Sequence, residues 1–183
     1  MRLVFMVEEP SMRELLKIIL PKILPSDFET SLILSHDGKQ DLEESIPKKL
    51  RAWQNSNDKF IIVHDQDSND CIQLKTKLLS LCENSRNDCL VRIVCSELES
   101  WYFGDLTAVS LAYGKDYTSL IAKRKYRVPD QLGNAKQEFR KIVPAYQPID
   151  GAKKIAMHMN VDNNTSLSFN TFVSGIKRMC YKI

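Results

Sequence analysis

The sequence predicts an α/β protein: a parallel sheet of about four strands flanked by helices, with a helical C-terminal extension. Three observations predict it. Four short apolar runs, at residues 3–7, 31–35, 59–64 and 90–95, have the length and β-branched content of strands buried on both faces. The segments between them carry apolar residues at helical spacing, and strands joined by such helices pair in parallel through right-handed crossovers. Beyond Gly104-Asp105 the strand signal fades and the apolar segments keep helical spacing only.

Residues 3–7, LVFMV, open the sheet. Residues 11–24 follow as an amphipathic helix with Met12, Leu15, Leu16, Ile19 and Leu20 on one face; Pro10 precedes a Ser11 cap and Pro25 closes the segment. The second strand, 31–35, leads into the polar loop His36-Asp37-Gly38-Lys39-Gln40. Asp41 then starts a helix to about Trp53, in which Pro47 predicts a break or kink. After the third strand, 59–64, a helix over 70–84 turns Leu74, Leu78, Leu79 and Cys82 inward. The fourth strand, 90–95, is followed by a helical stretch opening at Glu97. Helices are expected at 106–113, 118–123, 135–143, 152–158 and 168–180, with loops at 126–134, 144–151 and 160–167. Residues 1–105 thus form an α/β core and 106–183 a basic helical extension packed on it, as one compact unit.

With 43% hydrophobic and 27% charged residues, the composition is that of a globular protein with a proper core. No apolar stretch approaches the roughly 20 residues needed to span a bilayer. The apolar start runs straight into Glu8-Glu9, unlike a signal peptide. Five cysteines, odd in number and without a C-x-x-C pair, fit reduced packing residues. The expectation is a cytoplasmic protein with no membrane partner. The net charge of +3 hides an asymmetry: residues 1–114 hold 13 Lys/Arg and 18 Asp/Glu, whereas residues 115–183 hold 13 and 5. An acidic half joined to a basic half suits an anion-binding metal site, with carboxylates for the cation and Lys and Arg for phosphates. A solvated basic face is the alternative.

The third strand ends abruptly in Asp65-Gln66-Asp67. Open α/β sheets bind ligands at the carboxyl ends of their strands. Two carboxylates there repel each other unless a cation sits between them. The first strand also ends in acid, Glu8-Glu9, and the fourth is followed by Glu97 and Glu99. A parallel sheet gathers these ends along one edge. Crowding them without a cation costs about 4 kcal/mol per pair at 4 Å in an intermediate dielectric. An all-oxygen set without Cys or His suits Mg²⁺ or Mn²⁺ better than zinc. The simpler alternatives are helix caps: Asp65 or Asp67 for the helix after the third strand, and Glu97 or Glu99 against the dipole of the next.

Glu after the first strand and Asp-x-Asp after the third resemble the Toprim (topoisomerase–primase) pattern. VEEPSM at 7–12, HDGKQDLEESIPKKLRAW at 36–53, HDQDSNDC at 64–71 and ELESWYFGD at 97–105 also resemble an uncharacterised bacterial family with a Toprim-like domain, described in connection with defence-associated nucleases. GNAKQEFRKIVPAYQ and SFNTFVSGIKR extend the likeness over nearly the whole chain. The resemblance implies a Toprim/Rossmann-like sheet, with Glu8 as general acid/base or metal ligand and Asp65 and Asp67 as metal ligands. Glu99, with Glu97 as runner-up, would lie close to the same site. Glu9 stands where many Toprim-like chains have Gly, which leaves Glu8 and Glu9 as alternatives.

Lys39, beside His36, Asp37 and Asp41, could hold a phosphate or belong to an ordinary polar loop. His64 is either a ligand or a packed histidine facing away from Asp65. Trp101 and Tyr102 could stack bases or fill the core. The run Lys123-Arg124-Lys125-Tyr126-Arg127 is the densest cluster of cations and the leading nucleic-acid contact, with help from Lys153 and Lys154. No Ser-His-Asp pattern, nucleotide-binding Gly-rich loop or H-E-x-x-H motif is present. The expected function is Mg²⁺- or Mn²⁺-dependent phosphodiester chemistry on DNA or RNA by a nuclease, in a defence setting with a partner ATPase. The alternative is a non-catalytic nucleic-acid-binding or partner module of the same shape. Oligomeric state is not legible in the sequence.

Overall fold

In a computed structural model describing residues 2–25 and 31–181, strands β1 (Leu3–Val7), β2 (Leu32–Ser35), β3 (Lys59–Asp65) and β4 (Cys89–Val94) form one sheet. Its order is β2-β1-β3-β4 and every pairing is parallel. Val7 lies opposite Ser35 on one side and Val63 on the other, so β1, β2 and β3 end almost level. The α/β class and the four-stranded parallel sheet flanked by helices are those the sequence predicts.

Alternation along the strands explains the layers. Leu3, Phe5 and Val7 face helix α1 (Pro10–Ile23), which buries Met12, Leu15, Leu16, Ile19 and Leu20 against them. Val4, Met6, Phe60 and Ile62 face the other way, onto α2 (Lys39–Ala52) and α3 (Cys71–Cys82). The remaining helices are α4 (Glu99–Phe103), α5 (Leu106–Tyr113), α6 (Ala135–Ile142), α7 (Pro148–His158) and α8 (Leu167–Tyr181). Their apolar residues join the α1 side of the core, so the C-terminal part completes one face of the sheet. Lys22 ties the two parts together: its ammonium donates to the carbonyls of Ala156, Met157 and Met159 at the end of α7, where a cation is favoured by the negative end of the helix dipole.

The crossover through α1 leaves β1 on one face, and the crossover through α2 returns past β1 on the other. The two diverge above the carboxyl ends of β1 and β3, leaving the crevice in which open α/β sheets bind ligands.

Several details differ from expectation. α2 continues through Pro47, because Leu42, Ile46 and Leu50 hold both halves against the sheet. Leu79 is exposed: the buried stripe of α3 is Leu74, Leu78 and Cys82, and the next position turns away from it. Residues 118–122 form a 3-10 turn, and the loop expected to reach 151 is shorter, since α7 starts at Pro148. Proline suits that first position because its missing N–H would have no helical partner. Among the described residues no helix is long and apolar enough to cross a membrane.

Candidate functional site

β1 delivers Glu8 and Glu9 to the crevice, and β3 delivers His64, Asp65 and, two residues beyond, Asp67. Glu8 sits between the two strand ends: its Oε2 accepts from the Asp65 backbone N–H at 3.4 Å and lies 3.5 Å from His64 Nδ1. Glu9 turns toward the C-terminal layer, where Lys136 Nζ lies 3.3 Å from its Oε2. The two neighbouring glutamates therefore serve opposite faces of the sheet edge.

Asp65 is partly buried at the end of β3. Its Oδ2 accepts from the Leu98 N–H at 3.4 Å. Burial first, then Glu8 and Glu99, push its carboxyl well above the usual carboxylate range. Glu8 is shifted the same way: burial is the largest cause and Asp67 adds to it, against an opposing pull from His64. The recess shared by Glu8, Glu9 and Asp65 is small, ≈ 10 Å³ for the centre of a water-sized sphere, which is room for about one water or ion.

Asp67 stands on the α2 side, where Lys39 Nζ donates to its Oδ2 at 2.9 Å. Its backbone is left-handed, with φ 51°, and Ser96, after β4, has φ 65°. These are the two non-glycine residues with positive φ among the described ones. A bond from Asp67 N–H to the Ser96 carbonyl, 2.8 Å, joins the two strained positions. Backbone of this kind persists where surrounding structure enforces it, and such positions cluster at ligand sites.

Glu99 is buried in the C-terminal layer and accepts the Tyr146 hydroxyl at 2.6 Å. Burial raises its carboxyl above the ordinary value, and the Tyr146 bond partly offsets this. Glu97 is a cap, as one alternative had it, but for a helix far along the chain: its Oε2 accepts the Lys136 backbone N–H at 2.8 Å in the first turn of α6. His64 is wholly buried, its Nδ1 2.6 Å from the Asp65 carbonyl and its Nε2 3.6 Å from Glu43 of α2. It is packed, yet it faces Glu8. His36 is buried too, its Nδ1 on the Val7 carbonyl at 2.9 Å.

The expected nucleic-acid contacts are mostly engaged elsewhere. Lys125 pairs with Glu138, and Arg127 donates to the carbonyls of Ile121 and Ala122. Tyr126 is buried and stacks on Phe103, with ring planes 7° apart. Lys153 lies 3.8 Å from Glu14 and Lys154 2.7 Å from Asp150. Lys123 and Arg124 are exposed. Trp101 and Tyr102 are fully buried, so neither offers a face to a base.

Sequence reasoning missed Lys136. It is the cation of the α1 side: burial works against its charge, but Glu99, Glu9 and Asp65 outweigh that and hold it above the ordinary lysine range. A lysine in the first turn of a helix opposes the dipole, and that misplacement was the available signal. Glu43 and Tyr146 were missed as well, since nothing local marks a residue that supports another.

The donors at the switch point are all oxygen, in keeping with Mg²⁺ or Mn²⁺. Among the described residues, however, no three His, Cys, Asp or Glu side chains stand together as a ready-made metal cage. Magnesium rarely uses such cages; it binds through one or two carboxylates plus waters and substrate phosphates. The crowded pair Glu8 and Asp65 fits a site of that kind.

A family model described as Domain of unknown function (DUF4276) matches residues 7–177, and the chain belongs to this family. No curated protein and no solved structure matches it.

Proposed function

We propose that this member of the family is a Mg²⁺- or Mn²⁺-dependent nuclease of Toprim type. The supporting observation is the pair Glu8 and Asp65: two carboxylates raised by burial and by neighbouring charge, beside a strained Asp67, at the switch point of a parallel sheet. Glu8 after the first strand and Asp-x-Asp after the third are neighbours across one strand pairing, which supports the Toprim relation. The defence setting and the partner ATPase rest on the resemblance of motifs.

Glu8 and Asp65 would hold the cation, and Asp67 would join them on exchanging Lys39 for it. When bound, it supplies Lewis acidity toward a phosphoryl oxygen and toward attacking water. Glu8, half-buried and raised in pKa, is a stronger proton acceptor than an exposed glutamate. Glu99 keeps Lys136 charged and in place, and acts through that lysine.

The test is cleavage of end-labelled DNA and RNA in Mg²⁺ or Mn²⁺, with and without EDTA. Asp65→Asn should lower the rate by about 100-fold or more. Divalent cation should also raise Tm in the wild type but not in Asp67→Asn, through mass action on the folded state. Cleavage indifferent to EDTA and to Asp65→Asn would exclude the mechanism.

One observation favours a second reading, the non-catalytic binding module. Lys39 already pairs with Asp67 and Lys136 with Glu9, so part of the acid charge is balanced within the protein. A binder of this kind would keep its nucleic-acid affinity in EDTA and in Asp65→Asn, and cleave nothing.

A further inference from the structure

We infer that a single nucleic-acid strand is held across the carboxyl edge of the sheet by two lysines on opposite sides of Glu8: Lys39 with the α2–α3 groove, and Lys136 at the start of α6. This rests on the nucleic-acid reading shared by both functions above, and it moves the contact away from the 123–127 run.

The starting points of α2 and α3 flank a groove of ≈ 470 Å³ lined by Lys39, Gln40, Glu43, Asn69, Gln73 and Lys77. That volume is in the range of sites that hold small organic ligands. Its lining residues are polar but for Leu74: besides the two lysines and the carboxylates Glu43 and Asp70 there are three amide side chains that can donate and accept toward a sugar or a base edge. Lys39 joins the groove to the acidic edge through Asp67, and Lys77 reaches Glu43 at 2.6 Å. Both lysines are more than half exposed, and ion pairs so exposed are worth about 0–1 kcal/mol. A phosphate can therefore take either ammonium from its carboxylate at little cost.

Lys136 belongs to the other face. Its ammonium bonds Glu9, and it feels Glu99 and Asp65. Glu8 feels both Asp67, the partner of Lys39, and Glu9, the partner of Lys136. The two cations thus stand on either side of Glu8, on opposite faces of the sheet edge. One phosphate group cannot serve both, whereas successive phosphates of a strand can. A strand so placed passes directly over Glu8 and Asp65. In the 123–127 run Arg127 donates to backbone carbonyls and the aromatic is buried, while Lys125, paired with Glu138, is about as exposed as Lys39.

The experiment is fluorescence anisotropy with labelled 20-nucleotide oligothymidylate and oligouridylate, in EDTA, over a series of salt concentrations. Each phosphate contact contributes about 0.7 to the log–log salt slope on a single strand. Lys39→Gln and Lys136→Gln should each weaken binding and flatten the slope by about that amount, and the double variant by about twice it. Lys136→Arg should restore wild-type binding, which separates a phosphate contact from a folding defect. Replacing Lys123 and Arg124 by Gln should change neither affinity nor slope. The inference is overturned if the wild type binds neither oligonucleotide, or if the Lys123/Arg124 variant loses the slope while Lys39→Gln and Lys136→Gln keep it. Because EDTA removes any metal chemistry, absence of cleavage would count against the nuclease and leave this result standing.

Discussion

Tyr146→Phe removes one oxygen atom and tests how the buried Glu99 is held. The ring of Tyr146 packs edge-on against Phe139, with centroids 4.8 Å apart, and against Tyr102 at 6.2 Å. Phenylalanine keeps both contacts, so the loss isolates the hydroxyl that donates to Glu99. A hydrogen bond to a charged group is worth about 1.5–3 kcal/mol, and one between neutral groups about 1 kcal/mol. For a chain of this size each kcal/mol moves Tm by about 2–4 °C, so a loss of about 2 kcal/mol lowers it by about 4–8 °C. The pH dependence carries a sign. Burial already raises the Glu99 carboxyl in the folded state, and losing the hydroxyl raises it further. Between the unfolded and folded pKa values the native chain holds more protons, so stability falls as pH rises. The substitution should therefore cost little in acid, where Glu99 is protonated, and most at neutral pH. Urea denaturation of both proteins from about pH 4.3, the ordinary glutamate pKa, up to about pH 8 measures this. A deficit below about 0.5 kcal/mol at neutral pH, or one that does not grow with pH, would show that Glu99 does not depend on Tyr146.

Two further outcomes follow from the same packing and charge. Asp65→Asn should stabilise the metal-free protein at neutral pH: ionised Asp65 is disfavoured by burial, Glu8 and Glu99, so the wild type is most stable below the unfolded carboxylate pKa and loses stability as pH rises toward the folded one. A urea midpoint that falls in the variant at pH 8 would refute that sign. Gly151→Ala should cost about 1–3 kcal/mol by overpacking, because a Cβ there would overlap the Tyr146 ring and sit 3.0 Å from the Tyr113 hydroxyl oxygen; a wild-type melting curve would contradict it.

The strands were legible because each is a short apolar run ended by charge or a turn. Glu8 and Asp65 were legible for the same reason, since a parallel sheet must gather the residues that end its strands. What the sequence hid depends on docking between distant segments. Lys136 reaches Glu9 because α6 packs beside α4, and no local periodicity states where a helix will dock. Tyr126 sits in a basic run yet points inward, onto Phe103, because a five-residue window cannot separate a surface aromatic from a core one. Leu79 was placed inward because leucine suits a core, and the geometry of α3 decided otherwise.

The link from Glu9 to Lys136 spans 127 positions of the chain, and the one from Lys22 to Met159 spans 137. On a ribosome the strands that carry Glu8 and Asp65 emerge long before the lysine that balances them. Until α6 follows, the early segment must carry its acids without that counter-cation and its α1 face without most of its cover. Contacts so remote in sequence form late and slow the search for the native state. The nascent chain is then exposed to misassembly until α6 and the helices after it have been made, and the edge that gathers the acids cannot be complete in any fragment that stops before Lys136.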